Sequence, residues 1–201
     1  PLTPMQEGML FHTLFDGSGQ AYFQQFTLDI SGQLNPKSLE AAFNQVIDRY
    51  DILRTAFFHR GLRKSRQVVY KSRPIELEVK DLRSLDAAAQ QTALEAEKQR
   101  DTDRGFDLKT DALMRVILLQ TADESWQLIW SHHHILMDGW CMGTIIEEIF
   151  LSYKAFKSNA TAELAPVLQF DRYVDWLQEW DETEAKNYWK RLLSDFEEKT
   201  G

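Results

Sequence analysis

The chain has 201 residues, of which 43% are apolar and 12% are aromatic. This composition is typical of a folded globular protein and excludes a disordered or low-complexity chain. The 31 acidic residues outnumber the 23 basic ones, which gives a net charge of −8. A negative balance of this kind argues against a nucleic-acid backbone or an anionic membrane as the main partner, so we expect neither.

The cysteine content and the termini bear on the cellular setting. Cys141 is the single cysteine, so no disulfide can form within the chain, and a reducing, cytoplasmic compartment is expected. No apolar run approaches the roughly 18 residues that a membrane span needs. The sequence lacks the features of a signal peptide and begins with Pro1 rather than methionine, which favours a piece of a longer protein.

The first half of the chain reads as helix, strand, helix and then several strands. Thr3 and Gln6 form the pattern of a capping box around Pro4, which suits the first position of a helix. Alternating and helical spacing of apolar residues then place the following elements. The predicted helices lie at 3–15 and 35–50, and the predicted strands at 21–32, 51–58, 66–70 and 75–82. The basic run at 60–73 is interpreted as a solvated hairpin, with a docking patch as the alternative.

The second half combines one pair of buried strands with several helices. An Ala-, Gln- and Glu-rich segment predicts an exposed helix, and two apolar runs joined by a short loop predict adjacent antiparallel strands. The predicted strands lie at 111–120 and 125–136, and the predicted helices at 86–100, 144–156, 170–180 and 182–198. The order indicates an α/β (layered α+β) fold, with a mixed, mostly antiparallel sheet packed with helices.

The segment SHHHILMDGW, residues 131–140, places three of the five histidines in an apolar strand. Because alternate residues of a strand face opposite ways, His132 and His134 should share one face and His133 the other. A pair of imidazoles could fill two positions of a zinc ion, but no third ligand has a suitable spacing, so we expect no metal. The plainest interpretation is a set of core histidines bonded to the backbone.

The end of this strand nevertheless favours a reactive histidine. An imidazole with a reference pKa near 6.5 is suited to taking a proton at neutral pH. Asp138-Gly139 predicts a turn before a helix, whose N-terminal N–H groups could stabilise developing negative charge. Asp138 itself has two interpretations, a helix cap or the partner of Arg54, an isolated arginine in an apolar segment. There is no Gly-x-Ser-x-Gly elbow, and a lone cysteine such as Cys141 is more often inert.

The segment HHILMDG at 133–139 resembles the HHxxxDG motif of the chloramphenicol-acetyltransferase-like acyltransferases. Segments 2–12, 49–58 and 170–180 resemble, in this order, the other N-terminal motifs of condensation domains in nonribosomal peptide synthetases. The resemblance implies a chloramphenicol-acetyltransferase-like fold and covers about half of such a domain. It divides the chain into an N-terminal lobe at 1–160 and a helical segment at 161–201 that leads to an absent C-terminal lobe.

The same resemblance assigns roles to five residues. His134 matches the catalytic second histidine of the motif, and His133 matches the first, usually structural one. Asp138 matches the aspartate that pairs with an arginine, and Arg54 matches that arginine. Gly139 matches the glycine whose backbone lies near the reacting thioester.

The implied activity is peptide-bond formation in nonribosomal peptide synthesis. An aminoacyl or peptidyl group would pass from an upstream carrier protein to the α-amine of an amino acid on a downstream one. Both substrates would ride on 4′-phosphopantetheine of the carriers, with an adenylation domain adjacent and no cofactor bound in the domain itself. Two alternatives stay open: an acyltransferase that uses acyl-CoA and acylates oxygen or nitrogen, and a non-catalytic module that docks carriers. The isolated lobe is expected to lack half of the substrate channel.

Overall fold

The computed structural model describes residues 1–16, 20–194 and 196. The strands are β1 (Phe23–Ser31), β2 (Thr55–Phe58), β3 (Arg66–Val69), β4 (Leu77–Asp81), β5 (Met114–Ala122) and β6 (Ser125–His133). The helices are α1 (Pro4–Asp16), α2 (Pro36–Arg49), α3 (Ala87–Arg104), α4 (Gly139–Lys157), α5 (Phe170–Glu179) and α6 (Thr183–Leu192). A 3-10 turn, Asp51–Arg54, precedes β2.

A four-stranded sheet with the order β1-β6-β5-β4 forms the centre of the structure. Strand β6 is antiparallel to β1 on one side and to β5 on the other, whereas β4 is parallel to β5. Strands β2 and β3 pair separately as an antiparallel hairpin. The predicted mixed, mostly antiparallel sheet is therefore confirmed, as is the pairing of the two apolar runs as neighbours.

The two faces of β6 are buried against different helices. Trp126, Leu128 and Trp130 belong to the main core, which includes residues of α2 and α4 such as Phe43. Ile129, on the opposite face, packs in a smaller cluster beneath α3. The alternation that the sequence predicts is thus confirmed, and burial on both faces explains why β6 contains few charged residues.

Side-chain caps fix where the helices begin. The Thr3 N–H donates to Gln6 Oε1 (2.9 Å) and the Gln6 N–H donates to Thr3 Oγ1 (3.2 Å), which is the predicted capping box. Asn35 accepts from the backbone of α2, as predicted. Asp51 caps α5 from a distant part of the chain, because its Oδ1 accepts from the Phe170 N–H at 3.0 Å. This last bond attaches α5 to the 3-10 turn.

A buried ion pair joins α3 to the sheet immediately before the histidine triplet. Arg115 Nε donates to Asp101 Oδ1 at 2.5 Å, and another N–H of the same guanidinium donates to the carbonyl of Gly105 at 2.8 Å. Gln25 donates to Asp101 Oδ2 (3.3 Å) and to Ser131 Oγ (3.2 Å). Since Ser131 pairs with Gln25 on β1 and with Arg115 on β5, three strands and one helix meet in this network.

The structure corrects two predicted strands. The strand predicted at 51–58 begins only at Thr55, because Asp51–Arg54 forms a 3-10 turn in which the Leu53 N–H bonds the carbonyl of Tyr50. The strand predicted at 125–136 ends at His133, where the Leu136 N–H bonds the His133 carbonyl and turns the chain. The last histidine therefore lies in a turn rather than in the sheet.

Two predicted helices also have different limits. The helix predicted from residue 144 begins at Gly139, five residues earlier, because Asp138 caps it. The helix predicted at 182–198 ends at Leu192 as α6, and residues 195, 197 and 198 of that prediction lie outside the described part. In that part, no helix combines the length and the hydropathy needed to cross a bilayer. The division at residue 160 stays a prediction.

Candidate active site

His133 is completely buried and hydrogen-bonded at both ring nitrogens. Its Nδ1 accepts from the Ile135 N–H at 3.1 Å, so the proton of the neutral ring must be on Nε2. Nε2 then donates to Thr13 Oγ1 at 3.2 Å, while the Thr13 hydroxyl donates to the carbonyl of Met9 on α1 at 2.8 Å. The two bonds define the tautomer of His133 and connect β6 to α1.

The environment of His133 keeps this ring neutral. Burial lowers its pKa from the usual 6.5 to about 4, and the neighbouring His132 and His134 act in the same direction. Protonation at Nδ1 would also break the bond to the Ile135 N–H, which closes the turn after β6. His133 therefore acts as a clamp for the turn that carries the next histidine.

His132 faces the main core. Its ring lies 6.4 Å from the ring of Trp130 and 6.3 Å from that of Phe26, and burial lowers its pKa to about 4. Within residues 1–16, 20–194 and 196, its Nδ1 has no hydrogen-bond partner. The interpretation as a core histidine fits His132, although it lacks the backbone bond that we expected.

His134 differs from its two neighbours because it is partly exposed and lies in the turn after β6. Its N–H donates to the carbonyl of Tyr22 at 2.9 Å, and its ring is nearly parallel to the Tyr22 ring, at 7° and a 6.4 Å centroid distance. Among the described residues no side-chain hydrogen bond occupies its imidazole. The predicted sharing of a face with His132 does not apply, since the strand has already ended at His133.

Tyr22 is a residue of this site that the sequence did not reveal. We predicted it as part of a strand, but β1 begins at Phe23, and Tyr22 has a left-handed backbone with φ of 64°. For an L-residue with a side chain this conformation costs roughly 1–2 kcal/mol. Alternating apolar residues gave no signal for it. Thr13, on the predicted α1 helix, was equally unmarked in the sequence.

Asp138 is the N-cap of α4. Its Oδ1 accepts from the N–H groups of Trp140 (3.0 Å) and Cys141 (3.2 Å) and from Cys141 Sγ (3.3 Å). The thiol bond is the main cause that lowers the pKa of Asp138, and the two backbone bonds add to it. Our expectation that the first N–H groups of α4 are free to bind an anion is therefore wrong for these two.

The predicted ion pair between Asp138 and Arg54 is not formed. Arg54 donates to the carbonyl of Tyr70 at 2.6 Å, and the Tyr70 N–H donates back to the carbonyl of Arg54 at 3.1 Å. No salt bridge between Arg54 and Asp138 occurs in the described part of the chain. Each partner is engaged elsewhere, Arg54 with the end of β3 and Asp138 with α4, so the cap interpretation of Asp138 is the correct one.

Gly139 opens α4 on an exposed face. A Cβ atom added there would meet nothing within 4 Å, and the neighbouring Trp140 is 93% exposed. Its predicted place beside a thioester stays a prediction. Among the described residues, no three His, Cys, Asp or Glu side chains come together in a way that could hold a metal ion.

The arrangement separates three roles along a short stretch of chain. His133 closes a turn as a neutral, doubly bonded ring, Asp138 starts the next helix, and His134 lies between them with an accessible imidazole. Electrostatic interaction with His134 contributes to the lowered pKa of Asp138. Such a site can offer an imidazole as a proton acceptor on an open face.

Comparisons with known proteins identify the family of the chain. A family model described as "Condensation domain" matches residues 1–201. The chain is similar to a plipastatin synthase protein of Bacillus subtilis (strain 168), with 44% identity over 100% of the chain and 8% of that protein. It is also similar to gramicidin S synthase 2 of Brevibacillus brevis, with 41% identity over 98% of the chain and 4% of that protein. The chain thus spans only a small part of these relatives.

Solved structures show the same fold. The starter condensation domain of rhizomide synthetase matches with a TM-score of 0.85 at 24% identity, over 98% of this chain and 48% of that one. The X-domain in complex with OxyB from teicoplanin biosynthesis matches with a TM-score of 0.83 at 22% identity, over 100% of this chain and 44% of that one. The chloramphenicol-acetyltransferase-like fold is confirmed, and the chain belongs to the condensation-domain family of nonribosomal peptide synthetases.

Proposed function

We propose that this chain carries the histidine-bearing half of a domain that forms peptide bonds between carrier-bound amino acids. The observation that supports this most directly is the position of His134. It is the one histidine of the triplet that is partly exposed, and its backbone is fixed by Tyr22. The other half of the domain, and the channel between the halves, belong to the same proposal.

The reaction is the aminolysis of a thioester. The α-amine of the acceptor attacks the donor carbonyl, a C–N bond forms and the C–S bond breaks. The attacking nitrogen loses a proton, and the departing pantetheine sulfur gains one. An α-amine has a reference pKa of about 7.7–8.0, so a neutral fraction is present without a base, and a proton acceptor is needed chiefly as the nitrogen becomes positive. General-base work of this kind contributes about 10²–10⁴-fold.

The residues around His134 receive supporting roles in this proposal. His134 takes or relays the proton, or holds the amine by a hydrogen bond. His133 keeps the turn closed, and Asp138 starts α4 so that Gly139 lies at the exposed face. Arg54 supports β3 rather than Asp138. Alignment of the two pantetheine arms by the complete domain supplies the remainder of the rate.

The partners in this proposal are an upstream donor carrier protein, a downstream acceptor carrier protein, an adenylation domain and the second lobe. The cytoplasm is the proposed compartment. The relatives with 44% and 41% identity are peptide synthases, which favours aminoacyl or peptidyl donors. A variant of the starter condensation domain of rhizomide synthetase was solved with C8-CoA and Leu-SNAC, so an acyl donor is the second candidate. The structure of the X-domain in complex with OxyB supports a docking role as the third candidate function.

A transfer assay with a full-length condensation domain that contains residues 1–201 tests the proposal. Both carriers are preloaded, and the acceptor carrier is analysed by intact-mass spectrometry. We expect a dipeptidyl acceptor carrier within a single turnover. Product from an acyl-CoA donor but not from an aminoacyl carrier would favour the second candidate. Carrier binding without product from either donor would favour the docking module.

A further inference from the structure

The backbone of Tyr22 is unusual for an aromatic residue. Among the described residues, the two non-glycine residues with positive φ are Tyr22 (64°) and Asn159 (52°). Asparagine visits this region readily, whereas an aromatic residue there is an outlier. Strained residues of this kind persist where the surrounding structure fixes them, and they are concentrated at functional sites.

In its left-handed conformation, Tyr22 contacts His134 through two groups, its backbone carbonyl and its ring. Its carbonyl accepts the His134 N–H at 2.9 Å, which continues the β1–β6 pairing past the Phe23–His133 pair. Its ring lies nearly parallel to the His134 ring at 6.4 Å, and it lies 6.2 Å from the His133 ring. Tyr22 therefore contacts both histidines of the HHxxxDG segment, through the backbone and through the ring.

We propose that Tyr22 is a positioning residue for His134, and this inference rests on the proposed function. The carbonyl fixes the backbone of the turn, and the flat ring restricts the imidazole to orientations parallel to itself. Among the described residues, no hydrogen bond is made by the imidazole of His134. The contact with the Tyr22 ring is therefore what sets the orientation of this imidazole. The reaction needs a fixed orientation of the imidazole, because a small misplacement of a reacting group lowers the rate strongly.

Three variants in the full-length domain separate the ring from the backbone. Tyr22→Gly keeps the left-handed backbone without strain and removes the ring. Tyr22→Phe keeps the ring and removes only the hydroxyl. Asn159→Gly is the matched control, because it removes a side chain at the other positive-φ position, at the end of α4.

Two readouts are measured for each variant. We expect Tyr22→Gly to lower the single-turnover transfer rate by about tenfold to a hundredfold, with the apparent affinity for carriers unchanged. Tyr22→Phe should restore the rate to within about twofold of the wild type, because the aromatic contact is the part that matters. In spectra of histidine labelled with ¹³C at Cε1, the His134 resonance should shift in Tyr22→Gly and stay in place in Asn159→Gly.

The spectra separate failure of this inference from failure of the proposed function, because they do not require turnover. An unchanged His134 resonance in Tyr22→Gly overturns the positioning role, whether or not the domain forms peptide bonds. A shifted resonance with an unchanged transfer rate overturns its relevance to the reaction. A loss in Tyr22→Phe as large as in Tyr22→Gly assigns the effect to the hydroxyl and also overturns the proposal.

Discussion

The buried ion pair between Asp101 and Arg115 should make the fold sensitive to the loss of one carboxylate. Asp101 is 4% exposed, and it accepts from Arg115 at 2.5 Å and from Gln25 at 3.3 Å. Asp101→Ala leaves the largely buried guanidinium of Arg115 without its carboxylate partner. Removing one member of a buried pair costs about 3–5 kcal/mol, so we expect a decrease of this size in the free energy of unfolding.

The exposed ion pair between Arg83 and Asp123 provides the control. Its N–O distance is 2.8 Å, but the Asp123 side chain is 89% exposed. Exposed pairs contribute little to stability, so Asp123→Ala should lower the free energy of unfolding far less than Asp101→Ala does. Similar distances with different burial thus predict different costs.

Urea unfolding of the full-length domain, followed by tryptophan fluorescence, measures both variants. In a double-mutant cycle, Asp101→Ala with Arg115→Met should cost less than the sum of the single changes by about 1–3 kcal/mol, because the second change removes the stranded charge. A cost of Asp101→Ala no larger than that of Asp123→Ala would refute the reasoning, as would strictly additive costs of the two buried changes.

Three further outcomes follow from the site. Asp138→Ala should lower the free energy of unfolding by about 1 kcal/mol, and Asp138→Asn by much less. In urea titrations, a double-mutant cycle of Asp138 with Arg54 should show a coupling energy below about 0.5 kcal/mol. A larger coupling energy would indicate that the two side chains do form an ion pair. The folded-state pKa of about 4 for His132 and His133 lies below the unfolded value, so stability is complete above pH 6.5 and decreases toward pH 4. The loss of stability over this pH range is roughly 3 kcal/mol for each ring. His132→Leu should therefore make the melting temperature depend less on pH in this range, and an unchanged pH dependence would contradict the prediction. Thr13→Val removes the acceptor of His133 Nε2 and should cost about 1–3 kcal/mol by chemical unfolding, and a neutral result would exclude that bond.

Local patterns in the sequence predicted most of the fold. The capping box of Thr3 and Gln6 and the cap of Asn35 depend on residues three positions apart, so the sequence contains all that is needed to identify them. The faces of β6 follow from alternation of side chains. The HHxxxDG segment predicted His133 and His134 as site residues. The structure distinguishes their roles, because His133 stabilises the turn and His134 has the accessible ring.

Contacts between distant segments account for the rest. The carbonyl that anchors His134 comes from Tyr22, and its left-handed backbone has no signature in an aromatic residue. Asp138 had two chemically reasonable partners, and spacing could not choose between the start of α4 and Arg54. The 3-10 turn at Asp51–Arg54 is coupled to α5, more than a hundred residues away, through the bond from the Phe170 N–H to Asp51. Alternation of apolar residues does not contain this information.

The most direct test of the central claim compares the single-turnover transfer rate of the wild-type domain with that of His134→Ala. His132→Leu serves as the control, because His132 belongs to the same triplet but faces the core. We predict a decrease of at least about a hundredfold for His134→Ala, as expected for loss of a general base, and a rate close to the wild type for the control. Equal rates in all three proteins would contradict a chemical role for His134 and leave positioning alone as the source of catalysis.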